Sequence, residues 1–454
     1  MNKAVYDRIR RYVVRVACEQ PLHIGSADGE REGILRHPST GKPFVQASSI
    51  AGVLSDYVQK TDGDAVCRKL FGDSEMENGI AGRSKVAVFD GRFTDDTVKL
   101  EMRTRCALNK ATGSVDARRV KGSDMVSGTL LTAEYIGTGS ELAFAVLVYG
   151  DGYEKIEDAF SALHAGKIRL GGQNTSGFGR LSLQQVLVSA YDMTQEKERK
   201  EWAGLTDFYE ENGTDVTEEI KKRSSSLEDS GYIIRFQAKL DRAILVKANM
   251  IDEERVEKSL GRIEKMPDFM NIINARNQYI IPGTSLKGVF RSRMETIGDY
   301  LELPRERMAE VFEQRSKLLF EDAVIEKEHS IQQKRIHLNK ISGAVKNKAL
   351  FSECVTGGET QVTIHVDAAR LKRTENPGLS PKACIALLLY AIRDLAIGAV
   401  SLGSGASIGR GFAAVGHVEV LENGKEKAAF SFKEGQDVQD GFVAECLEEL
   451  RATL

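Results

Sequence analysis

Asn109-Lys110-Ala111-Thr112-Gly113-Ser114-Val115 and Asn339-Lys340-Ile341-Ser342-Gly343-Ala344-Val345 are two versions of one heptapeptide, 339 against 109, an offset of 230 positions. Gly179-Arg180 and Gly409-Arg410 show the same offset of 230, and each closes a glycine-rich loop. Two loops matched in order and in register mark a tandem duplication. A fixed internal period decides the architecture before any single element is read.

Further pairs follow from that offset. Tyr12-Val13-Val14-Arg15-Val16 reads like Tyr232-Ile233-Ile234-Arg235-Phe236, both β-branched and aromatic, as opening strands are. Ser48-Ser49-Ile50 reads like Thr284-Ser285-Leu286, with hydroxyls placed before an apolar-periodic segment, the pattern of a helix N-cap. Val88-Phe89-Asp90 loosely matches Leu319-Phe320-Glu321-Asp322. The offset is 220 at the opening strand and 236 at the hydroxyls, so the second copy carries about sixteen extra residues around Ile251 to Asn277. An insertion of that size belongs in a surface loop.

Each copy then reads as strand, long loop, capped helix, strands with an excursion between them, second helix, glycine loop and last strand. That order predicts an α+β chain of two tandem ferredoxin-like domains, each with a hairpin insertion. The framework is also that of sheet-based RNA-recognition modules. The expected boundaries are 1–192 and 231–454, with a charged linker over 193–230 and a short amphipathic helix at Val438 to Leu454.

The bulk composition narrows the classes. A 454-residue chain that is 41% hydrophobic has enough apolar residues for two cores. A net charge of −3 excludes a uniformly basic nucleic-acid binder but leaves room for local basic grooves. None of the 6 cysteines forms a CxxC or a zinc spacing. With no signal peptide in view, the expected location is a reducing cytoplasm. The most apolar stretch, Cys384 to Val400, contains Arg393 and Asp394, and reads as a buried helix rather than a membrane span.

Four kinds of segment carry candidate chemistry. The glycine loops Gly171–Arg180 and Gly403–Phe412 let backbone N–H groups approach a phosphate, and Arg180 and Arg410 add charged donors; neither is a Walker A loop. The helix start Pro282–Gly288 offers orphan amides, Thr284, Ser285 and Lys287, with Arg291 in the following turn. In the first copy Ala51 stands in place of Lys287. The excursions are locally basic, with Arg103 and Arg105 before the first heptapeptide and Lys334-Arg335 before the second. They read as basic fingers on a nucleic-acid backbone, or as solvated hairpins. Last, the loops after the opening strands hold acids: Asp28 with Glu30 and Glu32 in the first copy, and Asp252, Glu253, Glu254 and Asp268 in the second. By themselves, such acids are either solvated or catalytic.

Taken together, these residues resemble the RAMP superfamily of CRISPR-associated proteins. The resemblance rests on Leu22-His23-Ile24-Gly25, the turn Arg36 to Pro43, the helix start Pro282 to Gly288 and the glycine loops ending in Gly-Arg. It is nearest to the repeated backbone subunit of type III effector complexes, with two copies fused as in type III-D-like systems. The resemblance implies stacking along a CRISPR guide RNA beside other effector subunits, and kinking of the duplex with complementary target RNA. It also implies metal-dependent cutting of the target at loop aspartates, here Asp28 and Asp268, with Mg²⁺ as the divalent ion. His23, Ser48, Ser49, Arg103, Arg105, Asn109, Lys110, Gly179 and Arg180 would grip RNA in the first copy. Thr284, Ser285, Lys287, Arg291, Arg335, Asn339, Lys340, Gly409 and Arg410 would do so in the second. Two other outcomes keep the same fold: a non-catalytic scaffold, and a guide-processing endoribonuclease built on His23. An unrelated nucleotide-binding metabolic enzyme would explain neither the repeat nor the basic hairpins.

Overall fold

The computed structural model describes residues 6–25, 33–72, 83–94, 98–106, 117–119, 126–128, 130–224, 231–312, 317–339, 341–368, 371, 378–432 and 438–454. The chain forms two compact units. One comprises Met1–Glu101, Ala133–Asn174 and Phe178–Leu227; the other comprises Met102–Thr132, Thr175–Gly177 and Glu228–Leu454.

In the first unit the frame is β1 (Arg8–Cys18), α1 (Ala47–Asp62), β2 (Val86–Val88), β3 (Glu141–Tyr149), α2 (Tyr153–His164) and β4 (Leu181–Asp192). The strands lie in the order β4-β1-β3-β2, each pair antiparallel. That is the ferredoxin-like arrangement. Strand β1 explains itself by alternation. Tyr12, Val14 and Val16 point into a core with Ile50, Leu54 and Val58 of α1 and Ala159, Phe160 and Leu163 of α2. Burying one such side chain contributes about 1.5–3 kcal/mol. The intervening residues face the other side of the sheet.

On that other side lies part of the expected linker, and it does not behave as one. Residues 193–230 carry helices Glu196–Ala203 and Thr217–Ser224 and a short strand, Thr214–Asp215, that pairs with β4. Arg11, only 1% exposed, holds the segment down. Its guanidinium donates to the carbonyls of Phe208 at 3.1 Å, Glu210 at 2.8 Å and Asn212 at 2.9 Å, and to Ser189 Oγ at 3.2 Å. A buried guanidinium is tolerated when its donors are taken up in this way. Arg15 pairs with Glu211, and Arg92 pairs with Asp207 while lying 3.7 Å above the Tyr209 ring.

The second unit repeats the frame: β5 (Tyr232–Ile244), α3 (Gly283–Tyr300), β6 (Leu318–Phe320), β7 (Ala323–Leu338), β8 (Val345–Val366), α4 (Pro381–Ala396) and β9 (Ala414–Glu422). The order is β9-β5-β8-β6, again antiparallel throughout. The apolar stretch near Cys384 is α4, buried along most of its length, with Asp394 1% exposed and paired to Arg293 at 2.6 Å. The second excursion is the outer part of β7 and β8. These two strands pair from Ile325↔Thr360 out to Leu338↔Val345, a long two-stranded finger. Among the described residues, no helix is long and apolar enough to cross a membrane.

Candidate nucleic-acid interface

The second heptapeptide is the tip of the finger. Asn339 N donates to Ala344 O at 2.8 Å, and Gly343 N donates to Asn339 O at 2.9 Å. Asn339 Oδ1 accepts from Ile341 N at 2.9 Å, an Asx turn, while Gly343 sits at φ +67° where a β-carbon is strained. Both side-chain and glycine requirements of the motif are therefore turn requirements. Around the tip, apolar side chains stand in solvent: Ile336, Leu338, Val345, Leu350, and Ile341 at 99% exposure. Asn109, Lys110 and the rest of the first heptapeptide lie outside the described residues, as does Lys340.

The basic residues divide into exposed and committed ones. Arg335, on the finger, is part-exposed, pairs with Glu353 at 3.3 Å and lies 5.2 Å from the Phe351 ring. Arg291 is half-exposed, donates to Glu295 at 2.8 Å and lies 5.6 Å from the Phe312 ring. Arg105 is half-buried on the strand Leu100–Cys106. Two expected RNA contacts are instead internal ion pairs. Arg410 is 4% exposed, pairs with the 2%-exposed Glu353 at 2.7 Å and donates to Gln333. Arg103 is 6% exposed and pairs with Asp322 at 2.7 Å. A guanidinium taken out of water and matched to a carboxylate holds structure and does not present charge to a phosphate.

The helix starts also differ from expectation. The N-cap positions are Gln46 and Pro282, neither of which caps through its side chain. Ser48 and Ser49, and Thr284 and Ser285, stand one and two residues inside the helix. The first helical amide is capped from a distance in both copies: Ala47 N donates to Asp90 Oδ1 at 2.7 Å and Gly283 N to Asp322 Oδ1 at 2.8 Å. Ser48 lines an open groove of about 450 Å³ with His37, Pro38, Phe44, Gln46 and Asp90. Lys287 donates to Thr175 Oγ1 at 3.0 Å. Burial, with Arg291 nearby, lowers its ammonium to about 8.

The glycine loops are anchored alike, in a register two residues away from the Gly-Arg match. Gly172 N donates to His23 O and Gly179 N to Pro21 O, while Ser404 N donates to Leu245 O and Gly411 N to Ala243 O. Gly179 and Gly411 are the paired positions, 411 against 179, an offset of 232. A β-carbon on either would come within 2.0 Å of the Leu170 or Leu402 carbonyl. Gly409 lies in open space at φ +81°. Phe178 is thus the counterpart of Arg410. It packs edge-on to Tyr135 at 4.8 Å, with the His23 ring 5.4 Å from Tyr135. An aromatic junction in one copy is an ionic one in the other. Arg180 directly precedes β4, its carbonyl accepting from Glu19 N and Gln20 N.

Of the acids, Asp28 lies outside the described residues. Asp252 is the N-cap of the helix Glu253–Leu260, accepting from Arg255 N at 2.8 Å, so it is a structural group. Asp268 is exposed at the foot of the finger, with Oδ2 accepting from Ser352 N at 2.6 Å. Among the described residues, its other oxygen takes no hydrogen bond. Among the described residues, no three His, Cys, Asp or Glu side chains converge as a metal cage. A hydrated Mg²⁺ shared with phosphates needs only one or two carboxylates, which the exposed Asp268 fits.

The RAMP superfamily model matches residues 15–182 and 263–414. The chain belongs to the RAMP superfamily. Its two matched stretches fall one in each copy, so it is a tandem of two RAMP domains of ferredoxin-like fold. No curated protein matches the chain. Among solved structures it is similar to a chain of the type III-B Cmr-beta complex bound to cognate target RNA, seen by cryo-electron microscopy, at 17% identity and a TM-score of 0.31. That match covers 40% of this chain and 61% of the other.

Sequence reasoning missed the carboxylates that claim the RAMP copies' arginines and helix amides. Asp90 and Asp322 were visible only as a loose match, and Glu353 carried no signal.

Proposed function

We propose that this protein is a guide-RNA-binding backbone subunit of a type III CRISPR effector complex that bends the guide–target duplex and cleaves target RNA. The observation that carries this reading is the heptapeptide tip on a finger in a RAMP domain. A rigid turn there presents Ile341 and the flanking Ile336, Leu338 and Leu350 to solvent. Apolar side chains that insert at a base step unstack it. Lys287, Arg291 and Arg335 supply charge for the backbone.

Cleavage would be attack by a ribose 2′-OH on its own neighbouring phosphate, expelling the 5′-oxygen of the next nucleotide. The finger would hold the bend that brings these atoms in line, which is catalysis by positioning. Asp268, and Asp28 in the first copy, would lie at the scissile phosphates and hold a divalent ion together with phosphate oxygens. Bound there, Mg²⁺ supplies stabilisation of negative charge. A scaffold without cleavage would need the same finger and charges but neither acid.

The test is a target RNA carrying 2-aminopurine at successive positions, annealed to guide in the assembled ribonucleoprotein. Two bright positions, one per copy, are expected where bases leave the stack. Uniformly quenched fluorescence along the duplex would contradict the reading.

A further inference from the structure

Beside Asp268 the second unit carries a pair of touching aromatic rings with a cation against each. Lys247 Nζ sits 3.6 Å above the Phe269 ring. Phe269 meets Phe351 edge-on, with centroids 6.4 Å apart, and Arg335 lies 5.2 Å from the Phe351 ring. Both rings are partly exposed, and Lys247 is exposed. They are brought together by the pairing Phe269↔Glu353 and by the exchange of bonds between Asp268 and Ser352. Phe269 packs against the cluster of Ala243, Leu245 and Val355.

A hydrophobic core would not leave two phenylalanine rings at a surface, each with a cation against it. Single-stranded nucleic-acid sites have this composition, with rings for bases and cations for the backbone. We infer that Phe269, with Phe351 behind it, is a stacking platform for one unpaired RNA base next to Asp268. Lys247 is the placeholder on the ring in the absence of RNA. An exposed ammonium–ring contact is weaker than a base–ring stack, so a base displaces it. The ammonium then swings to the phosphate of the same nucleotide. The inference rests on the RNA-binding reading above and names the group that would seat the nucleotide by the acid.

The experiment is binding of a fluorescein-labelled single-stranded RNA to the full chain, followed by anisotropy over a range of salt. Phe269→Leu, which keeps the apolar contacts, is expected to weaken binding by about 5- to 150-fold with the salt slope unchanged. Phe269→Trp is expected to restore it. Lys247→Gln is expected to reduce the slope by about 0.7, the share of one phosphate contact. Wild-type affinity in Phe269→Leu, or a loss accompanied by a lower slope, would overturn the platform and leave the RNA-binding reading standing. No binding by the wild-type chain would overturn both.

Discussion

Gly283 N donates to Asp322 Oδ1 at 2.8 Å across 39 residues, and Asp322 Oδ2 pairs with Arg103 at 2.7 Å. One carboxylate therefore caps α3 and holds the strand that bears Arg103. Ala47 and Asp90 make the same capping bond in the first copy, and among the described residues no arginine pairs with Asp90. The two caps are equivalent in place and unequal in load. Asp322→Ala should cost about 3–5 kcal/mol, since it leaves a buried guanidinium without its acid. Asp90→Ala, at an exposed cap, should cost about 1 kcal/mol. Urea unfolding of the two variants checks the difference; equal losses would mean that the Arg103 pair adds nothing.

Arg410 should behave as a structural residue. Arg410→Met leaves the buried Glu353 with Arg335 as its remaining cation among the described residues, and should cost about 3 kcal/mol. Adding Glu353→Leu should recover much of that loss, because the two side chains are coupled. Thermal unfolding of the single and double variants measures this. RNA affinity in the folded double variant should keep the wild-type salt slope.

Lys287 gives a pH signature. Its ammonium is held at about 8 by burial, so it is charged at pH 7 and largely neutral by pH 9. A phosphate favours the charged form, so binding above pH 8 must take up a proton. RNA affinity should therefore fall as pH rises, by about tenfold between pH 7 and 9. Lys287→Arg, charged throughout, should flatten that fall. A wild-type profile already flat over this range would remove Lys287 from the interface.

The finger tip separates function from folding. Ile341 is 99% exposed, so Ile341→Asp should change stability by less than about 0.5 kcal/mol. It should nonetheless suppress the base-unstacking signal of the second copy. Unchanged 2-aminopurine fluorescence in this variant would mean that the tip does not enter the duplex.

The repeat, the α+β class and the order of elements were legible because they rest on local pattern and on self-comparison. The glycine register was read two residues off. Matching residues favoured Gly-Arg, whereas packing selects the glycines that face the Leu170 and Leu402 carbonyls. Arg103 and Arg410 looked like free charges because their acids, Asp322 and Glu353, are far away in sequence. The stretch 193–230 looked like a linker because charge dominates it; the anchor, Arg11, lies in the opening strand. The stacking pair was hidden for the same reason, since Phe269 and Phe351 meet only through the pairing of a short edge strand with β8.

The most direct measurement uses the ribonucleoprotein assembled on a guide, end-labelled complementary RNA and Mg²⁺. Wild type is compared with Asp28→Ala, Asp268→Ala and the double variant. Each single change is predicted to remove a different product band while RNA binding persists, and the double variant to leave the target whole. Identical bands from all four proteins would contradict the account and make this tandem RAMP chain a scaffold.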